Sequence, residues 1–157
     1  MDERVKGSIA LVETVRMILE KKGGAVWALP PEATVYEAIA MMAERGVGAL
    51  LVVEGGKLAG ILSERDYARK VILKGRSSKE TSVREIMSSP VITVSPDQTV
   101  ADCMQLVTAR RIRHLPVVDG ETIVGLVSIG DLVNEIISAQ AHTIAQLQSY
   151  IAGSYPG

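Results

Sequence analysis

A single cysteine, Cys103, leaves no partner for an internal disulfide and fits a reducing, cytoplasmic setting. Two histidines, His114 and His142, are too few to build a zinc centre, so no metal is expected. No uninterrupted apolar run approaches the ~18 residues that a membrane-spanning helix needs. The N-terminal "MDERVKGS" is charged and lacks the apolar core of a secretion signal. An excess of one charge is missing too. With 17 basic and 18 acidic residues the net charge is -1, and aromatics make up only 3%. That balance disfavours nucleic acid as a partner, and the basic cluster "ARRIRH" is a weak exception. What the chain does have is 47% hydrophobic residues over 157 positions. This suffices for one compact domain, or for two small ones sharing a core.

Sliding the sequence by 65 residues lays 26–72 over 91–137 without a gap for 47 positions. Pro31, Thr34, Val35, Arg45, Leu50, Val52, Gly60, Ser63 and Asp66 fall on Pro96, Thr99, Val100, Arg110, Leu115, Val117, Gly125, Ser128 and Asp131. Two copies are too few for a solenoid, and each is too small to bury an adequate core alone. The expected fold is therefore a duplicated α/β (α+β) unit whose copies pack on each other with pseudo-two-fold symmetry.

Each copy reads strand, helix, strand, strand, helix. "VWAL" and "VITV" open the copies as short strands. Thr34 and Thr99 are good N-caps, and Val35, Ala38, Ile39 and Met42 form a helical stripe matched by Val100, Cys103, Met104 and Val107. "ALLVV" and "LPVV" suit buried strands, and the turns "EGGK" and "DGET" lead into "LAGILS" and "IVGLVS". Second helices begin near Glu64 and Ile129. Cys103 and the methionines are read as packing.

The organisation predicted is an N-terminal helix over 1–22, with its apolar pattern in 9–22, then repeat one over 23–73. A linker over 74–89 follows, with a short helix that starts at the capping-box spacing Ser82 to Glu85. Repeat two covers 90–138, and a C-terminal helical extension and tail cover 139–157. "VRMIL" at 15–19 resembles "VREIM" at 83–87, which suggests that the repeating unit begins there.

The most informative duplication is Gly-x-x-Ser-x-x-Asp, in "GILSERD" and "GLVSIGD". A serine at a strand exit caps the next helix, and an aspartate three residues on suits the positive helix end. The same arrangement turns a carboxylate, a hydroxyl and free amides toward one crevice. There a ribose diol finds an acceptor and a phosphate finds donors.

With these motifs in this order, the chain resembles a tandem pair of CBS (cystathionine beta-synthase) domains, a Bateman module, over about residues 15–137. The resemblance implies a non-catalytic sensor that binds an adenosine-containing ligand between the repeats. AMP comes first among the ligands expected, with ADP, ATP, NAD and S-adenosylmethionine as the others. It assigns one site to Ser63, Arg65 and Asp66, with Val91, Ile92 and Thr93 around the base and Arg113 and His114 near phosphate. A second, weaker site takes Ser128 and Asp131 with Val26, Trp27, Ala28, Gly48 and Ala49. Gly48–Ala49 stand where repeat two has Arg113–His114, and Gly130 stands in place of Arg65. The second site is thus expected to lack a cation. Trp27 either closes over an adenine or plugs an interface. The partners implied are a homodimer mate and a separate target protein whose identity the residues do not reveal. Two other classes remain: a single-stranded nucleic-acid binder, and a nucleotide-processing enzyme, for which neither a Walker-type loop nor a metal cluster is visible.

Overall fold

The computed structural model describes residues 12–154, with side chains to Ser149. Helix α1 spans Val15–Lys22. Strand β1 (Ala28–Leu29) leads to α2 (Val35–Arg45), then to β2 (Ala49–Glu54) and β3 (Lys57–Ser63). Next come α3 (Glu64–Tyr67), a π-helical segment Ala68–Ile72 and the one-turn α4 (Val83–Ile86). Repeat two supplies α5 (Val100–Arg110), β4 (His114–Asp119), β5 (Thr122–Ser128) and the long α6 (Ile129–Ser154). The architecture is the α+β duplication expected. The chain divides into two compact units. One comprises 25–93 with 118–125; the other comprises the stretch up to Gly24, then 94–117, then Leu126 onward.

In the first unit β1 pairs parallel with β2, and β2 pairs antiparallel with β3, giving the order β1-β2-β3. Thr34 caps α2 by accepting the Glu37 N–H at 3.1 Å, while Glu37 reaches back to the Thr34 N–H. The helix thereby turns Val35, Ala38 and Met42 onto Leu50, Val52 and Leu62 of the sheet. Val83 and Ile86 of α4 close the same core. Their turn is tied down by Val83 N–H to Ala33 O and Arg84 N–H to Pro31 O. Ser82 starts it as its spacing predicts, with Glu85 accepting the Ser82 N–H at 2.8 Å.

The second unit repeats this scheme with a helix taken from the other end of the sequence. Val15 and Arg16 of α1 donate to Gln98 O and Pro96 O, the counterparts of Ala33 O and Pro31 O. Val15 and Ile18 are buried where Val83 and Ile86 are buried in the first unit. The likeness of "VRMIL" to "VREIM" is therefore structural. Each unit is completed by one such turn.

Two expectations need correction. Helix α1 begins at Val15 and not near residue 9; Thr14 is extended and bridges Thr99, and 9–11 lie outside the described residues. The opening strand expected at 91–94 reduces to one bridge, Val94 with Val117. The reason is Pro116. In repeat one the Leu51 N–H donates to Trp27 O at 2.9 Å. Pro116 occupies the position of Leu51 and has no N–H, so that rung is missing.

Cys103 is fully buried on α5, and burial pushes its thiol up to about 11. It is a packing residue, as its place on the stripe implies. Gly60 is required by close approach. A Cβ there would lie 3.1 Å from Ser88 O and closer still to the Met87 side chain, where Ser88 bridges Ile61. Gly60→Ala is expected to lower unfolding stability by about 1–3 kcal/mol in urea titration. A Gly56→Ala control probes backbone strain without contact, because its φ is +79° and no atom lies near.

Candidate functional site

Both Ser-x-x-Asp motifs sit at a strand-to-helix turn, and both are capping boxes. At the end of β3 the Asp66 N–H donates to Ser63 Oγ at 3.2 Å. Asp66 Oδ2 accepts the Ser63 N–H at 2.9 Å and the Ser63 hydroxyl at 3.0 Å. At the end of β5 the Asp131 N–H donates to Ser128 Oγ at 3.1 Å, and Asp131 Oδ2 accepts the Ser128 N–H at 2.8 Å. Neither carboxylate is lost in the core: each is part-buried at the surface of its unit. In both units the capping bonds fix the carboxylate at the helix start.

Backbone pairing decides which other residues lie beside each cap. In the first unit the Glu64 N–H donates to Gly48 O at 3.0 Å, and Ala49 pairs with Ser63. Gly48, Ala49, Ser63 and Asp66 are thus neighbours. Trp27 precedes β1 and leaves 37% of its surface exposed, with the Arg45 guanidinium 4.1 Å from its ring centroid. That contact is a cation–π pair. Val26, Val91 and Ile92 are half-buried, and Ala28 and Thr93 are exposed. Arg65 points outward and has no side-chain partner among the described residues.

In the second unit the equivalent bond joins the Ile129 N–H to Arg113 O at 2.9 Å. Arg113, His114, Ser128 and Asp131 therefore form the matching neighbourhood. Arg113 is exposed and His114 half-buried. Within each unit, then, a Ser-x-x-Asp lies beside the start of its own central strand.

Cations reach the two carboxylates by different routes, which repeat matching alone does not reveal. Asp66 Oδ1 lies 3.3 Å from Lys70 Nζ, one turn along the same helical run, and Lys70 also donates to Ile86 O. In repeat two the position of Lys70 is Glu135, a carboxylate with only 5% exposure. Lys21 of α1 neutralises it, donating to both oxygens at 3.0 and 3.1 Å. The next residue, Lys22, donates to Asp131 Oδ2 at 2.6 Å and to Leu126 O at 2.9 Å. An open cleft of about 280 Å³ lies over these pairs, with Ile18, Asn134 and Ser138 completing its walls. The sequence comparison places no cation at Asp131; the structure supplies one from outside the repeat. No group of three or more metal-ligating side chains occurs among the described residues.

The sequence profile of the CBS domain matches residues 25–72 and 83–138. The chain belongs to the CBS domain family. The second match begins at Val83, the start of α4. A mitochondrial CBS domain-containing protein of Arabidopsis thaliana, CBSX3, is 41% identical over 152 residues, which cover 90% of this chain and 73% of that protein. A solved CBS-domain protein of Burkholderia ambifaria, described as a signal-transduction protein, is 52% identical. Its TM-score is 0.78, over 81% of this chain and 96% of its own. The CBS domain pair of protein MJ0100 was solved with 5′-methylthioadenosine and S-adenosylmethionine. At 24% identity, with a TM-score of 0.71 over 82% of this chain and 98% of its own, it shares the fold. No helix among the described residues is long and apolar enough to cross a membrane.

Burial alone would raise the Asp131 carboxyl. The Lys22 ammonium and the Ser128 N–H and hydroxyl outweigh it and hold the group below its ordinary 3.8. A carboxyl lowered on folding adds stability above its unfolded value and loses it as pH falls through the folded one. Lys22→Met is expected to reduce stability at neutral pH. The gap from the parent should hold above the unfolded value of 3.8 and close as pH falls below it, through the lower folded value, in acid-titrated urea melts.

Proposed function

We propose that this CBS pair is a non-catalytic sensor of an adenine nucleotide, with AMP the first ligand to test and ADP, ATP and NAD next. What carries the reading is the doubled capping box. Two part-buried carboxylates are each pinned at a helix start, where a ribose diol that displaces the neighbouring donors would find its acceptor. The MJ0100 pair, whose ligands are both adenosine derivatives, supports that chemistry through shared fold. In this reading Ser63, Arg65 and Asp66 serve the first ligand, with Val91, Ile92 and Thr93 against its base. Arg113 and His114 take its phosphate, a charge-assisted contact that a guanidinium suits. Ser128 and Asp131, with Val26, Trp27, Ala28, Gly48 and Ala49, make the second site. Binding shifts the balance between two arrangements only by the ligand's unequal affinity for them, and a partner protein reads the result.

Self-association completes the proposal. Val133, Ile137, Ala141, Ile144 and Leu147 form an exposed stripe on α6, and Ile137 and Ile144 leave 57% and 55% of their surfaces bare. From Ile136 to Gly157 the sequence carries no Asp, Glu, Lys or Arg, so a second copy of the stripe meets no like-charge repulsion. A homodimer across α6 follows. Ile137→Glu with Ile144→Glu is expected to shift the molar mass by light scattering to that of one chain while leaving helical circular dichroism intact. A dimer that survives both charges would dismiss this interface.

The ligand reading is tested by a thermal-shift panel of adenosine, AMP, ADP, ATP, NAD and S-adenosylmethionine. At about 100 times its dissociation constant the true ligand stabilises the fold by ~2.7 kcal/mol. Asp66→Ala is expected to remove most of that shift, and Arg113→Ala to weaken AMP at least tenfold while sparing adenosine. Trp27, the sole tryptophan, gives an independent fluorescence readout. A flat panel, or steady product formation from any of these nucleotides, would end the sensor reading.

A further inference from the structure

Lys22 lies outside both repeats, yet its ammonium is seated on Asp131, the residue to which the nucleotide reading gives the second ribose. The two carboxylates differ in what must move before a diol can use both oxygens. At Asp66 the second donor to Oδ2 is the Ser63 hydroxyl, which is released by rotating one O–H bond, and Lys70 stands off Oδ1 at 3.3 Å. At Asp131 Oδ2 accepts the Ser128 N–H and the Lys22 ammonium, so both of its lone-pair directions are filled. The lysine is held from a second side by Leu126 O of β5. Its neighbour Lys21 keeps the same turn on buried Glu135, so what can part from Asp131 is the end of α1 at Lys22, where Gly23 (φ +91°) and Gly24 form a joint.

We propose that Lys22 is an intramolecular latch on the second cradle: a nucleoside gains both oxygens of Asp131 only when Lys22 leaves it, so occupancy there frees the end of α1 at Lys22. The inference rests on the nucleotide reading and adds a direction to it. The first cradle carries its lysine on its own helical run, with Ile86 O of the neighbouring α4 as the lysine's other acceptor. The second cradle reports to a helix from the opposite end of the chain. The pair is part-exposed, with 38% of the Lys22 side chain and 22% of that of Asp131 accessible, so the latch is weak enough for a small molecule to open.

The test uses adenosine, which has no phosphate for Lys22 to attract. It is titrated calorimetrically into Asp66→Ala and into Asp66→Ala/Lys22→Met. Removing the ammonium while keeping the chain length is expected to tighten adenosine about threefold to fivefold. Asp66→Ala/Lys22→Arg is expected to stay near the parent. In the Asp66→Ala protein, adenosine should also speed amide exchange at residues 19–22. Unchanged or weakened binding in the Met variant overturns the latch. So does a loss of affinity in the Met variant seen only in a parallel titration with AMP, which would make Lys22 a phosphate ligand. Binding that survives in Asp131→Ala but is absent from both Asp66→Ala proteins discards the latch and keeps the nucleotide reading. No binding to any variant discards both.

Discussion

Each unit depends on one short helical turn fastened by backbone hydrogen bonds beneath the start of its first long helix. Val83 and Arg84 supply it in one unit, and Val15 and Arg16 in the other, donating to equivalent carbonyls. Without that turn, Val35, Ala38 and Met42, or Val100, Cys103 and Val107, would have one side of their core open to water. A repeat of fewer than 50 residues buries too little surface to stand alone, and the added turn closes the deficit. The same constraint fixes what faces Glu135 and Asp131. The turn that closes the second unit ends in Lys21 and Lys22.

Much of this was legible from the residues. Duplication at an offset of 65 located both helix starts, both hairpins and both Ser-x-x-Asp motifs, because capping and apolar spacing are local properties that survive copying. The capping and binding readings of Ser-x-x-Asp do not compete, since the hydrogen bonds of the cap hold the carboxylate in place. The matched pair Val15–Ile18 and Val83–Ile86 was visible as well, although only the fold shows that α1 belongs with repeat two.

What the sequence concealed arises where the copies part at a single position. Pro116 for Leu51 deletes a donor, and a predicted strand shrinks to a bridge. Glu135 for Lys70 reverses a charge on a helix face that is nearly buried. A buried carboxylate without a partner is costly, so the compensating lysine has to come from whatever element faces it. That element is α1, which has no place in the 65-residue alignment. Aligning the repeats therefore shows a missing cation at Asp131 where the folded chain has one.

The charge reversal also explains why two turns so alike in their caps are neutralised from different places. In the first, the carboxylate and its cation ride on one helical run, with Ile86 O of α4 as the lysine's other acceptor. In the second, they belong to elements more than 100 residues apart in the chain, joined by Lys21–Glu135 and Lys22–Asp131. An ion pair between distant elements changes when either element moves, whereas Asp66 and Lys70 stay one turn apart. Duplication followed by one reversed charge is enough to give two like caps different cation partners, one from the same helical run and one from the far end of the chain.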